Sequence, residues 1–352
     1  MPIYLNAGGH GLPSAATRRR LLDHARTEAE AGPLAALEQA GPELAALHGK
    51  AAVLLGISSQ RVAIGHTTSQ FWLAALARLP LAGRRLLIAP HEWGNHLRYL
   101  RHVAPGLDLR LDILPPEAAL DPDAWAARLG EDVAALLLPH VTSAEGLIYP
   151  LAAIAALPRP EATLLVVDAA QSLGRVAVPP GWDVLAGTAR KWLRGPRATA
   201  LLGLSERAEA ILGTSARGLE PMDANPTLRL GLGMALDQLA QSGLEATAAR
   251  LSSIAAGFRT ELQRDARPGD WLAAGTPATA QAPGHVTLAV PGDHRPLLSQ
   301  RLERAGIIAK WADPAHEEPQ SRPDPQIALL RITPHLDNSA PDAEALRAAL
   351  SG

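Results

Sequence analysis

Between residues 61 and 204 the chain repeats one pattern, a short and mostly apolar run followed by a stretch whose apolar residues recur at helical spacing. The runs are RVAIG (61–65), RRLLIAP (84–90), LRLDIL (109–114), VAALLLP (133–139) and TLLVVD (163–168), and TSQFWLAALARL (68–79) is one of the helical stretches between them. WDVLAGT (182–188) and ATALLGL (198–204) come close together, as a hairpin or as neighbouring strands. A strand with no polar face is buried on both sides, so strands of this kind that alternate with helices predict an α/β fold with a mostly parallel sheet covered on both faces. Such sheets collect ligands at the carboxyl ends of their strands. The polar residues of this chain gather there: His66 to Ser69, His91 to His96, His140 to Ser143, Asp168 with Gln171, and Thr188 to Lys191.

After Gly218 the texture changes. LGMALDQLAQSG and LEATAARLSSIAAGFRTELQRD read as two helices, and GHVTLAVPG (284–292) and IALLRITP (327–334) as strands around a helix at 297–304. This predicts a smaller α+β domain. The expected division is an N-terminal segment over 1–15 packing near the site, a large domain over 16–235 and a small domain over 236–352. HEEPQSRPDPQ (316–326), rich in proline and charge, reads as a surface loop.

Composition removes several functions. Apolar residues make up 47% of 352 residues, enough for a sizeable core. Net charge is −2 with no basic block, which excludes a nucleic-acid footprint; the RRR at 18–20 belongs to a solvated helix face. With no cysteine there is no disulfide, no thiolate metal site and no sulfur nucleophile, and no metal site is expected. No apolar stretch approaches a membrane span and no signal peptide is visible, so a cytoplasmic enzyme acting on a small molecule is expected.

Lys191 is the only lysine between Lys50 and Lys310, and it stands at a strand end beside Arg190. A lysine in a desolvated pocket next to another cation has a lowered pKa and becomes a usable amine. Asp168 ends an apolar strand, where a carboxylate is costly unless it meets a cation or a protonated nitrogen. The plainer readings are a solvated loop lysine and a helix N-cap. Taken with hydroxyl donors at two other strand ends, the pair points to pyridoxal phosphate, which needs a lysine to bond it, an acid for its ring nitrogen and donors for its phosphate.

DAAQSLG followed by GTARKW resembles the signature of the class V pyridoxal-phosphate enzymes of fold type I. The resemblance covers nearly the whole chain, with IYLNAGG, GHTTSQ, PHEWGN, HVTSAEGLIYPL and LRITPHLDNSAPD in family order. It implies that Lys191 bonds the cofactor and Asp168 pairs with the ring nitrogen. It places Gln171 and Ser143 near the phenolic oxygen, and Thr67, Thr68, Thr188 and Arg190 at the phosphate. Trp93 stands where relatives stack a ring on the cofactor, with core packing as the alternative. Arg331 matches the arginine that forks onto the substrate carboxylate, with an exposed salt bridge as the alternative. Asn225 falls in a region that relatives lend across a homodimer interface. His10 either faces the substrate or caps the N-terminal loop.

Within the family, the wording of RKWLRGPR, DANPTLRLG and LRITPHLDN is nearest to the hercynylcysteine sulfoxide lyases of ergothioneine biosynthesis. A desulfurase needs a cysteine to take up sulfur, and this chain has none. The resemblance therefore implies β-elimination from an amino-acid substrate, a cysteine-derived sulfur conjugate, with release of pyruvate and ammonia. An aminotransferase or epimerase shares the same cofactor residues, and a non-catalytic cofactor-binding protein is the remaining alternative.

Overall fold

The computed structural model describes residues 2–264, 272–273, 281–321 and 324–351. The chain opens with strand β1 (Ile3–Tyr4) and two long helices, α1 (Ala15–Ala31) and α2 (Pro33–Leu55). Ser14 caps α1 by accepting from the Thr17 N–H, and Gly56, at φ 67°, ends α2 in the left-handed conformation that a glycine adopts without strain. There follow β2 (Val62–Gly65), α3 (Thr68–Leu76), β3 (Arg85–Ile88), α4 (Gly94–Val103), β4 (Arg110–Ile113), α5 (Pro122–Ala126), β5 (Val133–Pro139), α6 (Leu151–Ala155), β6 (Leu164–Asp168), β7 (Val184–Thr188), β8 (Ala200–Leu204) and α7 (Glu206–Leu212).

Strands β2 to β8 form a seven-stranded sheet in the order β2-β8-β7-β6-β5-β3-β4. Only β8 runs antiparallel to its neighbours, so the sheet is mostly parallel, and β7 and β8 are indeed adjacent. Side chains of one strand feed two cores. Leu136 and Leu138 pack with Leu47, Trp125, Ile154 and Leu236 on one face, while Ala135 and Leu137 pack with Phe71, Trp72, Leu97 and Leu212 on the other. Two apolar faces are the reason these runs lack polar alternation.

Helix α8 (Pro226–Ser242) runs unbroken through residue 235 and packs on α1 and α2. It leads into α9 (Leu244–Gln263), β9 (Leu272–Ala273), β10 (Val286–Pro291), α10 (Arg295–Arg304), β11 (Ile307–Ile308), β12 (Lys310–Ala312), α11 (Pro314–Glu317), β13 (Ile327–Ile332) and α12 (Ala340–Ser351). An antiparallel sheet, β12-β13-β10-β9, is covered by α9, α10 and α12 through Phe258, Leu298, Leu302, Leu346 and Leu350. This is the α+β body read from the sequence.

The N-terminal segment ties the two bodies together. β1 pairs in parallel with β11, the Leu5 N–H donates to Ile308 O at 2.8 Å and the Thr333 N–H to Leu5 O at 2.8 Å. Farther on, the Gly11 N–H donates to Arg190 O at 2.7 Å, next to Lys191. A Cβ on Gly11 would fall 2.1 Å from the Lys191 carbonyl oxygen, so only glycine allows this approach.

Buried Asp183, at the entry to β7, holds the edge of the parallel strands. Its Oδ2 accepts the Leu165 N–H at 2.8 Å, and its Oδ1 accepts Ser205 Oγ at 2.9 Å and Arg207 Nε at 3.1 Å. Arg159 lies 3.5 Å away. Replacing Asp183 with alanine leaves two half-buried cations without their acid and a buried strand N–H without its acceptor, which should cost about 3 kcal/mol. Urea unfolding of Asp183→Ala should show the midpoint fall with the slope unchanged.

Candidate active site

The carboxyl ends of five strands open on one cavity of about 530 Å³. The segment after β2 contributes His66, Thr67, Thr68 and Ser69, and that after β3 gives His91, Trp93 and Asn95. β5 leads to Ser143, β6 to Asp168 and Gln171, and β7 to Thr188, Arg190 and Lys191. Nine of the residues singled out in the sequence thus share a single cavity: Thr67, Thr68, Trp93, Ser143, Asp168, Gln171, Thr188, Arg190 and Lys191.

Lys191 is no solvated loop lysine. Burial is the main cause that brings its amine down to about 7; the Arg190 cation lowers it further, while Asp168 opposes. An appreciable fraction is therefore neutral and nucleophilic near pH 7. Asp168 is buried at the cavity wall, and its Oδ1 accepts the Ala170 N–H at 2.7 Å. It caps a turn, as the plainer reading has it, and it also lines the cavity.

One end of the cavity is built for an anion. Thr67 caps α3 through the Gln70 N–H at 3.0 Å, which aims the positive end of that helix inward. Arg190 and Arg197 flank it, and burial and mutual repulsion lower the Arg190 pKa. Thr68 Oγ1 is buried with no hydrogen-bond partner. A buried hydroxyl left unsatisfied is the opening a ligand oxygen fills. Arg197 was not singled out in the sequence, although it closes the RKWLRGPR segment.

Trp93 belongs to none of the apolar cores and stands half-buried in the cavity wall. The Glu92 Oε1 beneath it accepts the Trp93 N–H at 3.1 Å and meets His96 Nδ1 at 2.8 Å, and Ser69 Oγ lies 2.9 Å from His96 Nε2. Polar atoms of Glu92, His96 and Asp168 come within 4.8 Å of one another. Both His96 nitrogens are already engaged, so the cluster has no imidazole free for an ion.

The small body reaches the cavity through the segment that reads as a surface loop. Glu317 and Glu318, on and just after α11, are buried, and this part of the reading is corrected. Its charges are neutralised locally rather than by water. Glu317 Oε1 pairs with Lys310 and its Oε2 accepts Ser143 Oγ at 2.9 Å, 3.8 Å from Arg331 Nη1. Glu318 lines the cavity and accepts the Ser143 N–H, and burial pushes its carboxyl up to about 8. α11 presses on the start of α4, where a Cβ on Gly94 would sit 1.9 Å from His316 O.

Arg331 is buried, which removes the exposed salt bridge as an account of it. It stands behind Ser143, donating from Nη1 to Ser143 O at 3.0 Å and to Ser143 Oγ at 2.9 Å, while its Nε has no partner. His10 lies beside the cations Arg190 and Arg197, and its pKa is lowered chiefly by burial. Asn225 is outside the cavity. It caps α8 through the Leu228 N–H at 3.1 Å and borders a small crevice that shares His66 and Ala198 with the cavity.

Residues 36–216 match the aminotransferase class V family. A probable hercynylcysteine sulfoxide lyase of Mycobacterium tuberculosis is 31% identical over 99% of this chain and 89% of its own length. The chain belongs to the class V aminotransferase family. Its members use pyridoxal phosphate. An uncharacterized aminotransferase of Bacillus subtilis is 28% identical over 46% of this chain and 44% of its own. Among solved structures, the cystine C–S lyase C-DES in complex with cysteine persulfide superposes with a TM-score of 0.85 at 19% identity, covering 99% of this chain and 97% of that one. An apo cysteine desulfurase of Thermococcus onnurineus gives 0.85 at 18% identity, covering 99% and 94%. These likenesses establish the fold type I architecture. The residues of this cavity fit the cofactor on their own chemistry: an amine at about 7, an acid across from it, and cations and an unpartnered hydroxyl at a helix N-terminus.

The lowered amine has a measurable signature in cofactor-free protein. Below pH 7 Lys191 is protonated both folded and unfolded and contributes no pH dependence. Between about 7 and its ordinary value of 10.5 the unfolded chain holds the extra proton, so stability rises with pH by up to about 1.4 kcal/mol per unit. Lys191→Met should lose that increment relative to wild type, as read by urea unfolding across the interval.

Proposed function

We propose that this chain is a pyridoxal-phosphate-dependent carbon–sulfur lyase that releases pyruvate and ammonia from a cysteine-derived sulfur conjugate, with hercynylcysteine sulfoxide as the substrate the resemblance favours. The observation that carries the reading is the buried, partly neutral Lys191 amine facing Asp168 in a chain that has no cysteine to receive sulfur. The likeness to a probable hercynylcysteine sulfoxide lyase supports the substrate.

Bound in this cavity, pyridoxal phosphate supplies an electron sink for the carbanion left when the substrate Cα loses its proton. Lys191 would hold the cofactor covalently, and its free amine would take the substrate Cα proton at Nζ. Asp168 holds a proton on the ring nitrogen, which keeps the sink strong. Thr67, Thr68, Thr188, Arg190 and Arg197 hold the phosphate, and Trp93 covers the ring and excludes water. Gln171 and Ser143 face the phenolic oxygen. Arg331 takes the substrate carboxylate as Glu317 gives up its place on Ser143, with His10 on the substrate side.

The electron pair freed at Cα forms the Cα–Cβ double bond as the Cβ–S bond breaks. Sulfur leaves as a sulfenate, whose charge spreads onto oxygen, and water converts the three-carbon fragment to pyruvate and ammonia. Reaching the thiol then takes a two-electron thiol reductant. Asn225 borders a crevice that shares His66 and Ala198 with the cavity, and it is the family resemblance that favours a homodimer in which Asn225 of the partner subunit completes the phosphate end.

Loaded protein given hercynylcysteine sulfoxide should release pyruvate without an added keto acid, and faster than from the unoxidised thioether. Conversion of the substrate to its own keto acid, with the C–S bond intact and only when a keto-acid acceptor is added, would make the chain an aminotransferase, and racemisation without pyruvate would make it an epimerase. A separate outcome tests the acid. Asp168→Asn should still take up the cofactor but lose turnover by about 100-fold or more, because an amide cannot keep the ring nitrogen protonated. Near-normal turnover would reduce Asp168 to its capping bond with Ala170.

A further inference from the structure

Trp192 follows Lys191 directly, is almost wholly buried, and has no part in the chemistry above. Its indole is boxed in. The Arg175 guanidinium lies 3.8 Å from the ring centroid on one face, with the His335 ring stacked at 6.0 Å. The backbone of Gly284, at φ 77°, comes so close that a Cβ there would sit 2.7 Å from Trp192 Cζ3. Arg175 has no acidic partner among its hydrogen bonds, donating instead to Gln171 O at 2.7 Å and Pro283 O at 2.8 Å. A buried guanidinium held by carbonyls and an aromatic face is costly to assemble. It fixes the indole in one orientation.

The single polar atom of that indole points at Gln171. Trp192 Nε1 donates to Gln171 Oε1 at 2.9 Å, while Gln171 Nε2 donates to Gly8 O at 3.0 Å and toward Ser143 Oγ at 3.3 Å. An indole N–H can only donate and a backbone carbonyl can only accept. The two ends of the Gln171 amide are therefore assigned by their neighbours and are not interchangeable. The direction propagates. Ser143 Oγ receives from Gln171 Nε2 and from Arg331 Nη1, which leaves its own proton for Glu317 Oε2 at 2.9 Å. Donation thus runs one way, from Trp192 through Gln171 and Ser143 to Glu317.

We propose that Trp192 is a positioning residue whose indole N–H fixes which end of the Gln171 amide faces the cavity, so that Nε2 can turn the hydrogen it spends on the long 3.3 Å contact with Ser143 Oγ, and not a carbonyl, to the anionic phenolic oxygen of the cofactor. The inference rests on the pyridoxal-phosphate reading and adds to it a residue that touches neither cofactor nor substrate. Without the indole donor, the amide is held in this sense only through Nε2 on the Gly8 carbonyl, and the fraction that rotates sets a carbonyl against a negative oxygen. Charge left undamped on that oxygen holds the neighbouring lysine-nitrogen proton more tightly. The pH midpoint of the visible absorption band of the loaded protein then rises.

The test compares full-length protein loaded with pyridoxal phosphate as wild type, Trp192→Phe, Gln171→Leu and the double variant, reading the band midpoint by pH titration and the cofactor dissociation constant by dialysis. Trp192→Phe should raise the midpoint by about 1 pH unit, the size expected for one lost hydrogen bond to a charged oxygen. Gln171→Leu should raise it at least as far, and Trp192→Phe should add nothing in the Gln171→Leu background. An unmoved midpoint in Trp192→Phe, or the same rise with Gln171 already absent, overturns the inference. If the phenylalanine variant cannot be loaded, benzothienylalanine at 192 keeps the ring shape and replaces the N–H with sulfur, and the same two outcomes decide. A wild type that takes up no pyridoxal phosphate sinks the proposed function and this inference together; a wild type with the band and unmoved variants overturns this inference alone.

Discussion

The in-register pairing of β5, β6 and β7 is the constraint on which the site depends. Pro139, Asp168 and Ala186 stand side by side across the three strands, locked by bonds from the His140 N–H to Asp168 O at 2.9 Å and from the Ala169 N–H to Ala186 O at 2.7 Å. Ser143, Gln171 and Lys191 lie within five residues of that line. A one-residue slip would exchange the two apolar faces of each strand, and both are packed into cores of different shape. Register is held by packing far from the cavity, and the chemistry inherits it.

Around that line the charges are sorted. Cations and hydroxyls occupy the end near α3, while carboxyl groups from the small body close the other. The small body's contribution is an acid already seated beside the arginine proposed to read a carboxylate. Glu317 keeps Arg331 and Ser143 satisfied, so the buried guanidinium does not stand uncompensated, and an incoming carboxylate exchanges one charge-assisted contact for another.

Much of the layout was legible in the sequence, because continuous apolar runs report two-sided burial and the polar residues after them mark strand ends. Every long strand of the large sheet lies within a run read that way, and Lys191 with Asp168 follows from the cost of burying either alone. The short strands β1, β11 and β12 were not legible: two or three residues carry no period. Glu317 and Glu318 were missed for a different reason. HEEPQSRPDPQ has the composition of a solvated loop, and only tertiary placement against Lys310, Arg331 and Ser143 turns its acids inward. Trp192 was visible as a letter, but its bond to Gln171 depends on a turn whose geometry no local pattern announces.

The chain's first residues are fastened to its last third. Ile3 pairs with Ile307, Asn6 with Thr333, and the same segment then lies along Arg190 and Gln171. During synthesis the large sheet with its lysine and its acid has all its strands by residue 204, yet the strand partners of the segment that crosses over them, at Ile307 and Thr333, emerge only later. A chain of intermediate length therefore carries Lys191 and Asp168 without Glu317, Glu318 and Arg331. The order of the residues along the chain puts the wall that carries the lysine and its acid first, and the acids and arginine behind Ser143 last.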